Sequence, residues 1–208
     1  MTETLLELIN VPRNHVLSTI HNYLTKMTSN YEPIRRLPNM QDAGPSELAQ
    51  RDNAVTKLRS LFGLRGYDRA ETPMLEQTEL YLRKSGGTLS SRLYGFTEPG
   101  GYEVSLRPEF TAAILRQTID NMTDSNAVRI MYDGPVFRYA RTEDEDGLKT
   151  RQFTQLGAEL IGPSSSDADG EIIAMSLEGL NCLEIADTRV VVGHVGVIAK
   201  ALEAFDLS

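Results

Sequence analysis

One cysteine, three histidines and no tryptophan are spread over 208 residues. With Cys182 alone, neither an intramolecular disulfide nor a cysteine cluster for zinc can form. Its expected role is a small packed hydrophobe in a reducing compartment. His15 and His21 have no carboxylate or cysteine at ligand spacing, and His194 has no assignable nucleophile or acid partner, so no metal site is expected. No apolar run approaches the ~20 residues needed to span a bilayer, and the N-terminus lacks a signal-peptide core. The expectation is a cytoplasmic chain without membrane contact. A GxxxxGK[ST] phosphate loop, a GxGxxG after a strand, GxSxG and HExxH are all missing. Asp167 to Glu171 (DADGE) resembles a calcium-loop fragment, but Gly170 comes too early and no bidentate glutamate follows. Helix capping explains it better. Covalent catalysis is set aside, and ligand binding by charged groups remains.

What is present is ordinary for a soluble globular chain: 40% hydrophobic and 24% charged residues. The length suffices for a core, with one domain plus an appendage as the natural division. A net charge of −8 gives no overall basic footprint for nucleic acid, although a local patch could still serve.

Residues 1–30 hold two helical patterns, TETLLELIN and NHVLSTIHNYLTKMT; in the second, Val16, Leu17, Ile20, Tyr23, Leu24 and Met27 share one side. A segment with three prolines, from Ser29 to Pro45, reads as a linker or extended arm. The expected division is an arm over 1–37 and a body over 38–208. In the body, Pro45 suits a first helical turn, and Leu48, Val55, Leu58 and Phe62 continue as an apolar stripe. YDRAETPMLEQ predicts a strand ending at Pro73. TELYLRKSGG predicts a short helix, and RLYGFTEPGGYEVSLRPEF a hairpin turning at Glu98-Pro99-Gly100-Gly101. PEFTAAILRQTIDNM and SSSDADGEIIAMSLEGLNCLEI predict helices. TRVVVGHVGVIAKALEAF predicts a buried strand followed by a last helix.

Tyr132 to Gly162 reads as strand, polar loop, strand. Arg138, Arg141, Lys149 and Arg151 stand at its turn end. Gln155 and Glu159, four apart, share one strand face. Such cations and a carboxylate on one sheet surface can hold a small zwitterion. An exposed hairpin laced with cross-strand ion pairs is equally open at this point. The coarse result is an α+β domain with a largely antiparallel sheet.

Four stretches, in order, carry a family resemblance. Gly66 to Glu76 (GYDRAETPMLE) resembles motif 1 of class II aminoacyl-tRNA synthetases, and FRYAR at 137–141 resembles motif 2. LRPEFTAAILR at 106–116 is similar to the LRPEGT signature of histidyl-tRNA synthetases. RQFTQLGAE at 151–159 is similar to their RQFHQLG-x-E segment. The resemblance implies a class II synthetase-like core of mostly antiparallel sheet flanked by helices, incomplete before motif 3, and a homodimer formed through Gly66 to Glu76. It implies L-histidine as ligand, with Glu109 and Thr111 on its α-amino group helped by Gln155 and Glu159. Arg138 would bridge the ligand carboxylate and an ATP α-phosphate, and Arg151 would lie near nucleotide phosphates.

Departures from the pattern favour a relative that does not charge tRNA. Ala140 stands where synthetases place the glutamate of FRxE, and Glu143, Asp144, Glu145 and Asp146 fill a loop that would face ATP and tRNA. Phe110 replaces the glycine of RPEGT, which adds bulk beside the expected substrate groove. No stretch matches motif 3 or an RGLDYY-like signature, so an incomplete adenylation site is expected. FTQLGAELIG and VVVGHVG are most similar to the regulatory subunit of ATP phosphoribosyltransferase, a histidyl-tRNA synthetase paralogue. The resemblance then implies a non-catalytic, histidine-binding subunit of histidine biosynthesis, with the catalytic phosphoribosyltransferase subunit as partner. The alternative is a histidyl-tRNA synthetase fragment, which would bring ATP, Mg and tRNA as substrates and partners.

Overall fold

The structure, a computed structural model, describes residues 17–22, 33–85, 90–121, 127–139 and 150–205. The chain divides into two compact units, 1–40 and 41–208. In the first, residues 17–22 are helical, and the Met40 amide donates to the Leu37 carbonyl in a turn at 3.2 Å. The pattern TETLLELIN lies outside the described residues.

The second unit opens with α1 (Pro45–Leu64), where Pro45 occupies a position whose N–H would have no helical partner. Gly66 ends the approach with φ +80°, a conformation that glycine adopts without penalty. The expected single strand up to Pro73 is in fact two. β1 (Asp68–Arg69) pairs in parallel with β5 (Val128–Phe137), and β2 (Leu75–Gln77) belongs to another sheet. Ala70 makes the last bond of the first ladder, to the Met131 carbonyl. Pro73 has no N–H to continue any ladder, so the chain crosses over there.

After β2 come α2 (Thr78–Ser85) and a 3-10 turn (Ser90–Arg92), then β3 (Tyr94–Thr97) and β4 (Glu103–Leu106). β3 and β4 form the expected hairpin; the Gly101 amide donates to the Glu98 carbonyl at 2.8 Å and closes its turn. The order in this small sheet is β2-β4-β3. α3 (Thr111–Asp120) follows at once.

The long hairpin is β5 with β6 (Gln152–Ile161), ten antiparallel pairs from Val128–Ile161 to Phe137–Gln152. Ala140, Arg141, Lys149 and the four acids of its loop lie outside the described residues. β6 leads to α4 (Ser166–Cys182), whose N-cap Ser165 accepts from the Ala168 amide while Asp167 and Asp169 sit in the first turn. That placement accounts for the DADGE run.

The buried strand expected at Val190–Val192 does not form. No described strand pairs with these residues, and Val191 and Val192 are 78% and 67% exposed. α5 (Val195–Ala204) follows, with His194 as its N-cap: the imidazole Nδ1 accepts from the Val197 amide at 3.1 Å.

Strand pairing sorts the hairpin side chains onto two faces. On one, Met131, Leu156 and Ala158 pack against Phe62, Tyr67 and Met175, under α1 and α4. On the other, Ile130, Tyr132, Val136, Phe153 and Ile161 pack against Phe110 and Ile114 of the α3 segment. Apolar burial on both faces holds the hairpin between layers. The candidate site is on the second face.

Candidate functional site

Antiparallel register sets Tyr132 opposite Gly157, Gly134 opposite Gln155 and Ile130 opposite Glu159. All six residues therefore share the face that meets α3. Tyr132 is 3% exposed and lies flat on Phe110, with ring centroids 4.5 Å apart and planes inclined by 15°. Its hydroxyl donates to Glu159 Oε1 at 2.9 Å. Burial first, then the Glu159 and Glu109 carboxylates, pushes the Tyr132 phenol far above its usual range. The hydroxyl thus stays a neutral donor at any working pH.

Glu109 stands just before α3. Its Oε1 accepts from the Ala112 amide at 3.1 Å, which satisfies one orphan donor of the first helical turn. Its Oε2 accepts from Lys84 Nζ at 2.9 Å. Thr111 is the first residue of the helix. Glu159 is thus bonded to one buried phenol, with Thr111 and Glu109 close by. Gln155 lies two residues from Gly157 on the same face; its Oε1 is buried and accepts no hydrogen bond. Two carboxylates, a hydroxyl and an amide oxygen make an acceptor-rich surface, as a desolvated ammonium requires.

The cations occupy the turn end of the hairpin. Arg138 Nε donates to the Pro108 carbonyl at 2.9 Å, and its guanidinium carbon lies 5.2 Å from the Phe153 ring centroid. The Arg138 amide donates to the Arg151 carbonyl, which keeps the two strands in register past the last ladder pair. Arg151 is buried, with its guanidinium 4.6 Å from the Tyr139 ring centroid. Arg138 is therefore tied to the residue before Glu109, beside the acceptor cluster, whereas Arg151 stacks on the opposite strand's end.

Contrary to the expectation from its bulk, Phe110 does not stand beside a groove. It is wholly buried, between Tyr132 on one face and the Arg107 guanidinium, 3.9 Å from its centroid, on the other. Its bulk goes into the core instead of a groove, because α3 begins immediately after it and turns the ring toward the sheet. Arg107 is itself buried: Nε donates to the Pro135 carbonyl at 2.8 Å and Nη1 to the Thr72 carbonyl at 2.8 Å. Gly134 makes room, since a Cβ there would stand 2.7 Å from Arg107 Nη2.

Tyr132, Arg107 and Lys84 were not expected at the site. For Tyr132 a signal existed in Gly157, because a glycine inside a strand marks close approach. A Cβ at 157 would lie 2.6 Å from the Tyr132 hydroxyl. Elsewhere in the unit, a cavity of about 470 Å3 is lined by residues including Asp68, Arg69, Gln117, Thr118 and Arg129. It contains none of the expected site residues. Among the described residues no group of three or more His, Cys, Asp or Glu could hold a metal ion, and no helix is long and apolar enough to cross a membrane.

Comparison with known proteins identifies relatives of this chain. Residues 39–208 match the family described as histidyl-tRNA synthetase. A histidine–tRNA ligase of Methanococcus vannielii is 34% identical over 169 residues, covering 81% of this chain and 40% of the relative. One from Gluconacetobacter diazotrophicus is 37% identical over 166 residues, covering 78% and 39%. The chain therefore spans about two fifths of the curated relatives it matches. Among solved structures, an ATP phosphoribosyltransferase regulatory subunit/histidyl-tRNA synthetase from Bacillus halodurans superposes with a TM-score of 0.72 at 29% identity, covering 84% of this chain and 45% of that one. The apo histidyl-tRNA synthetase of S. aureus superposes with a TM-score of 0.58 at 27% identity, covering 72% and 34%. The motif order, the class II fold of the 41–208 unit and the match over 39–208 lead to one conclusion: the chain belongs to the histidyl-tRNA synthetase family.

Proposed function

We propose that this chain binds L-histidine without activating it, as part of a regulatory subunit of ATP phosphoribosyltransferase. The observation that carries the reading is the acceptor cluster: Glu159 bonded to the Tyr132 hydroxyl, with Glu109, Thr111 and Gln155 beside it. The ligand's ammonium would meet Glu109 and Thr111, helped by Gln155 and Glu159, and its carboxylate would take the Arg138 fork. The nucleotide side is less well equipped. Ala140 replaces the glutamate of FRxE, and Glu143 to Asp146 set four acids where ATP and tRNA would approach. The Bacillus halodurans protein, similar in fold over most of this chain, bears the name of that regulatory subunit alongside that of the synthetase.

In this reading the protein is cytoplasmic and forms a homodimer through Gly66 to Glu76. It works with a catalytic phosphoribosyltransferase subunit, whose activity changes because occupied and empty forms hold that subunit differently. Histidine-dependent exchange between ATP and pyrophosphate tests the claim. No exchange is expected at saturating L-histidine; robust exchange would contradict it.

A second reading is favoured by one observation: the curated relatives, at 32–37% identity, are named histidine–tRNA ligase. There the same cluster would hold histidine for adenylation, with ATP and Mg meeting Arg138 and Arg151. Exchange would establish this second reading, and its absence separates the two only in a protein that also carries motif 3.

A further inference from the structure

We infer that Lys84 is a built-in competitor for the amino-acid site: its ammonium occupies the Glu109 carboxylate and must leave when a ligand's ammonium arrives. This rests on the proposed binding of an α-amino acid at Glu109. Lys84 lies in the last turn of α2, and its Nζ is 2.9 Å from Glu109 Oε2. The Glu109 side chain is 14% exposed, the Lys84 side chain 42%. A half-exposed lysine thus reaches in to a carboxylate that is otherwise mostly removed from water.

Glu109 cannot easily turn to serve two cations. Its Oε1 is held by the Ala112 amide at the start of α3, which fixes the plane of the carboxylate. Only Oε2 is turned toward a cation, and Lys84 has it. A primary ammonium on the ligand has the same charge, donor count and size as the lysine head group. Two such groups on one oxygen of a partly buried carboxylate repel each other, so exchange is favoured over sharing. Removal of Lys84 is then compensated, because its long stem and 42% exposure let the ammonium return to water.

Lys84 also lines a groove of about 380 Å3 between α2 and α3, with Leu80, Arg83, Ala112, Leu115 and Arg116. Exchange at Glu109 therefore moves one positive charge to the rim of that groove, beside Arg83, Arg116 and Asp120. Occupancy of the amino-acid site is in this way registered on the outer surface of the two helices.

The test is calorimetric titration of the full chain with L-histidine and with its des-amino analogue, imidazolepropionate. Lys84→Met should bind L-histidine about two- to fivefold more tightly than wild type, the range expected for loss of one exposed competing pair. Imidazolepropionate, which has no ammonium to exchange, should bind the two proteins alike, and Lys84→Arg should resemble wild type for both ligands. Lys84→Gln serves if the methionine variant does not fold. Unchanged or weaker L-histidine binding by both neutral variants overturns the inference, weaker binding meaning that Lys84 helps to hold the ligand. Should wild type and all variants fail to bind L-histidine, the proposed site itself falls, and the lysine with it.

Discussion

Tyr132 is the residue around which the candidate site is built, and its place there comes from register more than from its own chemistry. A tyrosine in a strand is commonplace; what singles this one out is a glycine across the ladder, a phenylalanine beneath and the Glu159 carboxylate at its hydroxyl. Tyr132→Phe keeps the stack on Phe110 and removes only the oxygen. It should cost about 1–2 kcal/mol in urea denaturation, since Glu159 loses its hydrogen-bond donor. L-histidine affinity should fall with it, because Glu159 is then free to rotate; wild-type affinity in the variant would show that the phenol does not position the carboxylate. Gln155 and Glu159 were legible by their spacing on one strand, and Arg138 by its place at the strand end. Tyr132 and Lys84 were not, because each acts through a partner 27 or 25 residues away. Phe110 was legible as a bulky residue, but the direction of the ring depended on where α3 starts.

At the scale of elements, the hairpin β5–β6, helices α1 to α5 and the β3–β4 turn follow from periodicity, capping and turn residues. Two strands did not. The segment after Gly66 splits because Pro73 denies it a continuous ladder, and Val190–Val192 stays unpaired although its composition suits a strand. Strand formation needs a neighbour, which composition does not supply. The layers are joined by ion pairs that composition also hides. Arg129 of β5 donates to both oxygens of Glu171 in α4, at 3.0 and 2.8 Å, and the Tyr67 hydroxyl donates to the same carboxylate at 3.0 Å. The Arg129 hydrogen bonds hold the Glu171 carboxyl at about 2, against an ordinary value of 4.5, while burial and Glu171 push Tyr67 up to about 12. A depressed folded-state value means that the contribution is complete above about 4.5 and is lost as pH falls through about 2. Glu171→Gln should therefore flatten the decline in urea midpoint between pH 4.5 and 2 relative to wild type. Parallel declines in the two proteins would remove this pair from the acid limb.

At the scale of the molecule, the chain has the class II core of its family over the 41–208 unit and covers about two fifths of its curated relatives. Self-association through Gly66 to Glu76 is the expectation at this scale. Met74 is half exposed on that segment, while its backbone carbonyl is already engaged by the Arg107 amide. Met74→Glu should therefore leave the fold intact and shift the mass seen by light scattering from dimer toward monomer. An unchanged dimer would move the interface elsewhere.

The face of β5–β6 turned toward α3 is proposed as an amino-acid site. Calorimetric titration of L-histidine into the wild-type and Glu159→Gln chains measures it directly. The expected result is saturable binding of one L-histidine per chain, weakened about tenfold or more by loss of the carboxylate charge. No binding at millimolar L-histidine, or equal binding by the two chains, would contradict it.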